Sequence, residues 1–197
     1  MTEPRIEVLS IGAELVDGST ADTNAAEIAA ALGEAGRRVA SCHAVGDEPA
    51  EVTALLRGMM QRCDVCICTG GLGPTRDDVT REAVARVCGR QLKLDDASLR
   101  AIRERYAAKY GRAMPQSSRR QAMFPEGAEI IPNNYGTAPG LAIECGGALI
   151  ICMPGVPREM RHMLREGVLP LLRKRLPPAR HIRTKVLRLF GISESSL

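Results

Sequence analysis

The feature that most constrains this chain is a short apolar run that stops in glycines: Asp64-Val65-Cys66-Ile67-Cys68-Thr69, then Gly70-Gly71-Leu72-Gly73-Pro74-Thr75. A run this short and this apolar fits a strand buried on both faces, as in a parallel sheet covered by helices. The order strand, turn, helix recurs. Ile6 to Ile11 reads as a first strand, ending in Gly12-Ala13-Glu14-Leu15, and a helix follows from about Asn24, whose side chain can cap while Glu27 answers it three residues on. Gly33 and Gly36 close that helix. Arg38 to Ala44 is a second strand, and Pro49 sits in the first turn of a helix reaching Arg62.

Beyond Asp64 to Thr69, a helix is expected over Asp77 to Cys88. Another runs from Asp95 to Tyr110, with Leu99, Ile102, Tyr106 and Tyr110 on one stripe. Ser117 to Phe124 adds a short helix. Ile130-Ile131, Leu141 to Ile143 and Ala148 to Met153, the last two joined at Gly146-Gly147, read as a hairpin beside a strand. Met153-Pro154-Gly155-Val156-Pro157 launches a helix through Arg175, ended by Pro177-Pro178. This alternation predicts an α/β domain with a mostly parallel sheet.

Composition narrows the function classes. At 45% hydrophobic and 25% charged, the chain is neither disordered nor collagen-like, despite 19 Gly and 12 Pro. No apolar run approaches the roughly 20 residues of a membrane span. The start, Met1-Thr2-Glu3-Pro4-Arg5, lacks the basic and apolar stretches of a signal peptide, so the expected location is the cytoplasm. Seven cysteines, an odd number, suit a reducing compartment. Cys63, Cys66 and Cys68 lack the second C-x-x-C of a zinc site, and only Cys66 and Cys68 share a strand face, so they read as small buried hydrophobes. The net charge of +4 is local: residues 158–188 carry ten Lys/Arg against two Asp/Glu. With no Trp, three Tyr and two Phe, a stacking platform for nucleic acid is lacking, and a solvated helix face is the expected reading.

Two glycine turns, at Gly70-Gly71-Leu72-Gly73 and Pro154-Gly155, follow apolar strands and open helices. Both would point N–H groups away from the sheet's carboxyl edge, where a phosphate is stabilised. Neither is a Walker loop or a G-x-G-x-x-G fingerprint. Asp77 and Asp78 follow the first turn. They are either first-turn helix acids or the holders of a divalent cation, Mg²⁺, Mn²⁺ or Co²⁺, beside the phosphate. There is no G-x-S-x-G nucleophile, and His43, His162 and His181 fall in no triad motif.

The motifs together resemble the N-terminal domain of the CinA (competence/damage-inducible protein) family, which is similar to the molybdopterin-binding domain of MogA and MoaB. The resemblance rests on Gly12-Ala13-Glu14-Leu15 with Thr23-Asn24, Val45-Gly46-Asp47, Thr69 to Thr80, Pro132-Asn133, Gly136-Thr137-Ala138-Pro139-Gly140, and Met153 to Met160. It implies a three-layer α/β/α sandwich over residues 1–176, with 177–197 a linker and the first strand, Arg183 to Phe190, of a further domain cut short at Leu197. Full-length members continue into a nicotinamide-nucleotide deamidase, which cannot be carried over to this chain.

The activity that the resemblance implies is metal-dependent ADP-ribose pyrophosphatase, giving AMP and ribose 5-phosphate. Asp78, matched to the single acid before Val-Thr in the molybdopterin enzymes, and Asp77 are then the catalytic and metal residues. Gly12, Glu14, Asn24, Asp47, Gly70, Gly71, Gly73, Thr75, Asn133, Gly136, Thr137, Pro154 and Gly155 are the candidate substrate-binding residues. Leu72 replaces the Thr of the molybdopterin enzymes and Asp77 adds an acid, a departure that favours hydrolysis over pterin adenylylation. The alternative is a molybdopterin- or nucleotide-binding module without turnover; a third class is an assembly domain. Expected partners are a nucleotide or pterin-phosphate small molecule and further copies of the chain, not nucleic acid or a membrane.

Overall fold

The computed structural model describes residues 3–178 and 190–191. In chain order the elements are β1 Ile6–Ile11, α1 Ala13–Val16, α2 Thr23–Glu34, β2 Val39–Val45, α3 Pro49–Met60, β3 Val65–Thr69, α4 Thr80–Val87, β4 Leu92–Leu94, α5 Asp96–Tyr110, a 3-10 turn Gln116–Ala122, β5 Met123–Pro125, β6 Glu129–Ile131, β7 Gly140–Cys145, β8 Ala148–Met153, α6 Pro157–Met163 and α7 Leu169–Arg175. Between α6 and α7 the chain stays helical through one π turn, Leu164–Val168. No helix among the described residues is long and apolar enough to cross a membrane.

Six strands form one sheet in the order β2-β1-β3-β8-β7-β6. The first four are mutually parallel; β7 runs antiparallel to β8, and β6 antiparallel to β7. The Gly146-Gly147 hairpin works because both residues hold positive φ, 59° and 89°, the conformation a tight primed turn demands. β4 and β5 pair separately.

Helices cover both faces, which is why β1, β3 and β8 are buried along their whole length. On one face Leu9, Ile11, Cys66 and Cys68 pack against Val52, Leu56 and Met59 of α3 and Val84 of α4. On the other, Val8, Val65 and Ile67 pack against Ile28 and Leu32 of α2 and Met160 and Met163 of α6. Each such side chain contributes about 1.5–3 kcal/mol by leaving water. Three-layer α/β/α architecture is therefore what the sequence implied. The cysteines also behave as expected: Cys63, Cys66 and Cys68 are buried, and burial pushes the Cys63 thiol up to about 12.

The connection β1 to β2 and the connection β2 to β3 leave on opposite faces, through α2 and α3, so the winding reverses between β1 and β3. Open α/β sheets bind ligands at the carboxyl ends of the strands at such a reversal.

Several local expectations are corrected. Asp22, not Asn24, caps α2, accepting from the N–H of Ala25 at 3.0 Å, and Glu27 pairs instead with Arg161 of α6. Helix α4 starts at Thr80 rather than Asp77, because the Asp78 carboxylate is held back in the preceding loop. The stripe of α5 buries Leu99, Ile102 and Tyr106, but Tyr110 is exposed where Gly111 turns the chain away. The expected short helix at Ser117 is the 3-10 turn, running into β5, and the three-residue strands β4 and β5 carry too little pattern to read. Residues 183–189 of the expected further strand lie outside the described residues.

Candidate functional site

The carboxyl ends of β1, β2, β3 and β8 open on a cleft of about 550 Å³. Gly12 and Glu14 enter it after β1, Asp47 after β2, and Gly70, Gly71, Gly73, Thr75, Asp77 and Asp78 after β3. Pro154 and Gly155 enter after β8, and Thr137 from the loop before β7. Four of these five separated stretches meet because parallel strands end on one edge.

Glycine is required where the turns come closest. Gly70 holds φ +102° and its Cα faces the Ile11 carbonyl oxygen, so a Cβ there would overlap it. Gly71 holds φ +64°, and a Cβ would collide with the Thr80 hydroxyl that donates to the Gly70 carbonyl at 2.8 Å. Behind the turn lies Arg81, 2% exposed, whose guanidinium donates to the carbonyls of Leu72 and Gly73. Burial pushes Arg81 down to about 10, with Glu82 and Asp78 opposing, so it stays charged at neutral pH and fixes the turn from inside.

Asp78 does not cap α4. Its Oδ1 accepts from the Gly73 N–H at 2.5 Å, and its Oδ2 from the Thr75 N–H at 2.8 Å and the Thr75 hydroxyl at 2.6 Å. Both oxygens are engaged in closing the loop, and two backbone donors expected to face a ligand face this carboxylate instead. The Gly70 N–H is also taken, by Met153, and that of Gly12 by Val45. Asp77, one residue earlier, is exposed.

Three expected residues stand behind the lining rather than in it. Asn24 donates through Nδ2 to the Thr69 hydroxyl at 3.1 Å and the Gly155 carbonyl at 2.8 Å, tying α2 to both glycine turns. Asn133 accepts from the N–H groups of Tyr135 and Gly136 at 3.0 and 2.9 Å. It donates to the Ala138 carbonyl at 2.9 Å and to Glu159 at 2.7 Å. A Cβ on Gly136 would push the Glu159 carboxylate from its place beside Asn133.

Two polar lining residues escaped the reading of the sequence. Glu159 sits in the first turn of α6, a position whose only sequence signal is an acid after a glycine turn. Gln121 arrives on the 3-10 turn; it is 2% exposed and its buried Oε1 has no hydrogen-bond partner among the described residues. Nothing local marks it, since only tertiary packing brings it to the cleft.

The lining therefore holds five carboxylates, Glu14, Asp47, Asp77, Asp78 and Glu159, and no Lys, Arg or His. No group of three or more His, Cys, Asp or Glu among the described residues stands close enough to hold a metal ion unaided.

A switch-point cleft floored by glycine turns defines a three-layer α/β small-molecule-binding domain. The chain belongs to the family described as "Probable molybdopterin binding domain", whose model matches residues 7–174. It is 42% identical to the CinA-like protein of Gemmatimonas aurantiaca, covering 98% of this chain and 45% of that protein. It is likewise 42% identical to the putative competence-damage inducible protein of Bacillus velezensis, covering 98% and 46%. The chain thus spans about half the length of the curated relatives it matches. Among solved structures it is similar to the protein CinA of Thermoplasma acidophilum, described there as of unknown function, with 36% identity and a TM-score of 0.75 over 83% of this chain and 95% of that one. MoaB of Thermus thermophilus, a molybdopterin biosynthesis enzyme, shares the fold at 24% identity and a TM-score of 0.58 over 87% of this chain and 92% of that one.

Proposed function

We propose that this domain hydrolyses the pyrophosphate bond of ADP-ribose or a related nucleotide with the help of a divalent cation, giving AMP and ribose 5-phosphate. The observation that carries the reading is the cleft lining: two glycine turns and five carboxylates with no basic side chain among them. A diphosphate entering alone would meet only like charge, so its binding requires a cation between the two. The donors are all hard oxygens, which fit Mg²⁺ or Mn²⁺, held jointly by one or two carboxylates and the substrate's own phosphates. Asp77 is the freer of the two adjacent acids, and Asp47, Glu14 and Glu159 line the same cleft.

When bound, the cation would offset the negative charge developing on the phosphoryl oxygens. The chain's own part is positioning. The bare backbone at Gly71 and Gly155 lets the turns pack closely on Thr80 and on Gly70, while Asp78 and Arg81 lock the loop on the cleft floor. Hydrolysis adds the hydroxyl of water to one phosphorus and its proton to the oxygen leaving the other.

The alternative, binding of a molybdopterin or nucleotide without turnover, is favoured by one observation: Asp78, the acid expected to act on substrate, is engaged by its own loop. Incubation of the purified chain with ADP-ribose and Mg²⁺, Mn²⁺ or Co²⁺, followed by chromatography, separates the two. AMP appearing only with metal is the expected result. Tight ligand binding with no AMP under any metal selects the binding module.

A further inference from the structure

Helix α5 and the 3-10 turn that follows it carry a charge imbalance that the cleft does not use. Residues 97–120 hold seven Lys/Arg against one Asp/Glu. Arg100, Arg103, Lys109, Arg112 and Arg119 are exposed, and Arg105 is half-buried. Among the described residues none of these six is ion-paired, and neither is Glu104, the one acid. The seventh, Arg120, is turned onto the protein itself, to Glu82 at 2.8 Å and to the Thr75 and Asp78 carbonyls. In the basic stretch further along the chain, by contrast, Arg161 pairs with Glu27, and Arg175 with Glu129 and Glu144.

This crowding works against the fold. Arg100 and Arg103 stand three residues apart and Arg105 and Lys109 four apart, spacings at which like charges on a helix repel. Leu99, Ile102 and Tyr106 face inward, so the basic side chains flank the buried stripe. Uncompensated cations gathered on one small lobe are the electrostatic footprint of an anionic partner.

The carboxyl end of α5 adds an aromatic ring. Gly111 ends the helix, and Arg112 beyond it comes back to 5.6 Å from the Tyr110 ring centroid, with Lys109 Nζ at 5.3 Å. Tyr110 is 47% exposed, so its ring has surface left for a further planar group. Arg103 precedes Tyr110 by two helical turns on the same side, and the run from Arg100 to Tyr110 spans about 15 Å. That length matches about four nucleotides of one strand. A ring to stack a base and cations beside it for the phosphates is the combination that holds single strands without sequence preference. Tyr110 is also the one large apolar side chain exposed on this lobe, which therefore lacks the apolar centre of a protein interface and the apolar face of a membrane-lying helix.

We propose that the α5 lobe is a binding surface for single-stranded nucleic acid, with Tyr110 stacking a base and Arg100, Arg103, Lys109 and Arg112 contacting phosphates beside it. None of these residues lines the cleft, so the proposal stands apart from the hydrolase reading. The scarcity of aromatic residues argued against nucleic acid in the sequence; the fold sets one of the few among the unpaired cations.

Fluorescence anisotropy of a labelled oligo(dT) of about 12 nucleotides, titrated with the purified chain between about 50 and 200 mM salt, tests it. Wild type should bind with log affinity falling against log salt at a slope between about −2 and −3, three or four phosphates at about 0.7 each. Arg100→Glu with Arg103→Glu should weaken binding at least about tenfold and flatten the slope. The equal charge change Arg173→Glu with Lys174→Glu, at exposed positions on α7, should weaken it less than about threefold. Tyr110→Ala should weaken it roughly fivefold or more with the slope unchanged, since stacking releases no counterions. Melting curves check that each variant folds; if the double Glu variant melts low, Arg100→Gln with Arg103→Gln takes its place with a smaller expected loss. No binding at the lowest salt overturns the proposal. So does equal weakening by the two double Glu variants, which would reduce the effect to net charge. Polyglutamate or phosphatidylserine vesicles displacing the probe as readily as unlabelled oligo(dT) would overturn it in favour of an acidic protein or a membrane. A duplex bound as tightly as the single strand, or Tyr110→Ala binding like wild type, overturns the stacked strand.

Discussion

The two ends of the central strands treat carboxylates in opposite ways. At the amino end Glu7 of β1 is fully buried, and Arg62 donates to it twice, at 3.0 and 2.9 Å, with Arg5 at 2.9 Å and His43 at 3.2 Å. At the carboxyl end, no Lys, Arg or His joins the five carboxylates of the cleft lining. A buried carboxylate with its charge matched is part of the framework. Asp78 and Glu159 at least accept hydrogen bonds, but Glu14, Asp47 and Asp77, gathered without a side-chain partner among the described residues, raise the energy of the folded state slightly, and that cost makes sense where an incoming cation offsets it. The difference between structural and ligand-directed acids is thus a difference in partners, not in residue type.

The largest effect should come from the turn beneath the cleft. Gly70→Ala combines a positive φ with overlap onto the Ile11 carbonyl, and should cost about 3 kcal/mol or more, read as a lowered denaturation midpoint. Gly71→Ala has the same fault through Thr80, so loss of ligand binding in it says nothing about a phosphate cradle; Gly155→Ala, at ordinary φ but with its Cβ 3.2 Å from the Gly70 Cα, should cost less than either.

Next comes the matched acid. Glu7→Gln should lose about 2 kcal/mol of stability, the scale of hydrogen bonds to a charged group, while ligand affinity of the folded variant stays as in wild type. Burial works against the ionised form of Glu7, but the hydrogen bonds from Arg62, Arg5 and His43 outweigh it and hold the carboxyl below its ordinary value. Its contribution is therefore complete above the unfolded glutamate range and disappears as pH falls through the lowered folded value. Acid unfolding of Glu7→Gln should accordingly be less steep than that of wild type below the ordinary glutamate range. Identical acid limbs would break the contrast at the amino end.

The unmatched acids should behave in reverse. Asp47→Asn should shift stability by no more than about 0.5 kcal/mol, since no hydrogen bond is lost, yet weaken metal-dependent ligand binding. Asp77→Asn should do the same. Asp78→Asn is a poor probe of metal binding, because its amide would set an N–H₂ against the Gly73 or Thr75 donors and loosen the loop. If Asp47→Asn and Asp77→Asn both leave metal-dependent binding untouched, the cleft's acids are surface charge and the comparison collapses.

Layering and motif order were legible in the chain because they depend on local pattern. Apolar runs such as Val65 to Thr69 announce double-sided burial, and glycines after strands announce turns. The cleft itself was only partly legible. Gly70, Gly155, Asp47 and Thr137 were picked out and do meet, but Asn24 and Asn133 belong to its supporting frame, and Gln121 carried no signal at all.

Sequence alone settled the α/β alternation, the positions of the glycine turns and the acids beside them, since propensity and periodicity act over a few residues. Tertiary structure decided which acids are paired and which face the cleft. Asp78 turned inward to Gly73 and Thr75, Glu7 met an arginine 55 residues away, and Asn24 bridged two turns through Nδ2 with its Oδ1 left unpaired among the described residues. Hydrogen-bond partners are fixed by where the backbone brings donors and acceptors together, and that is a property of the packed sheet and helices rather than of any segment within them.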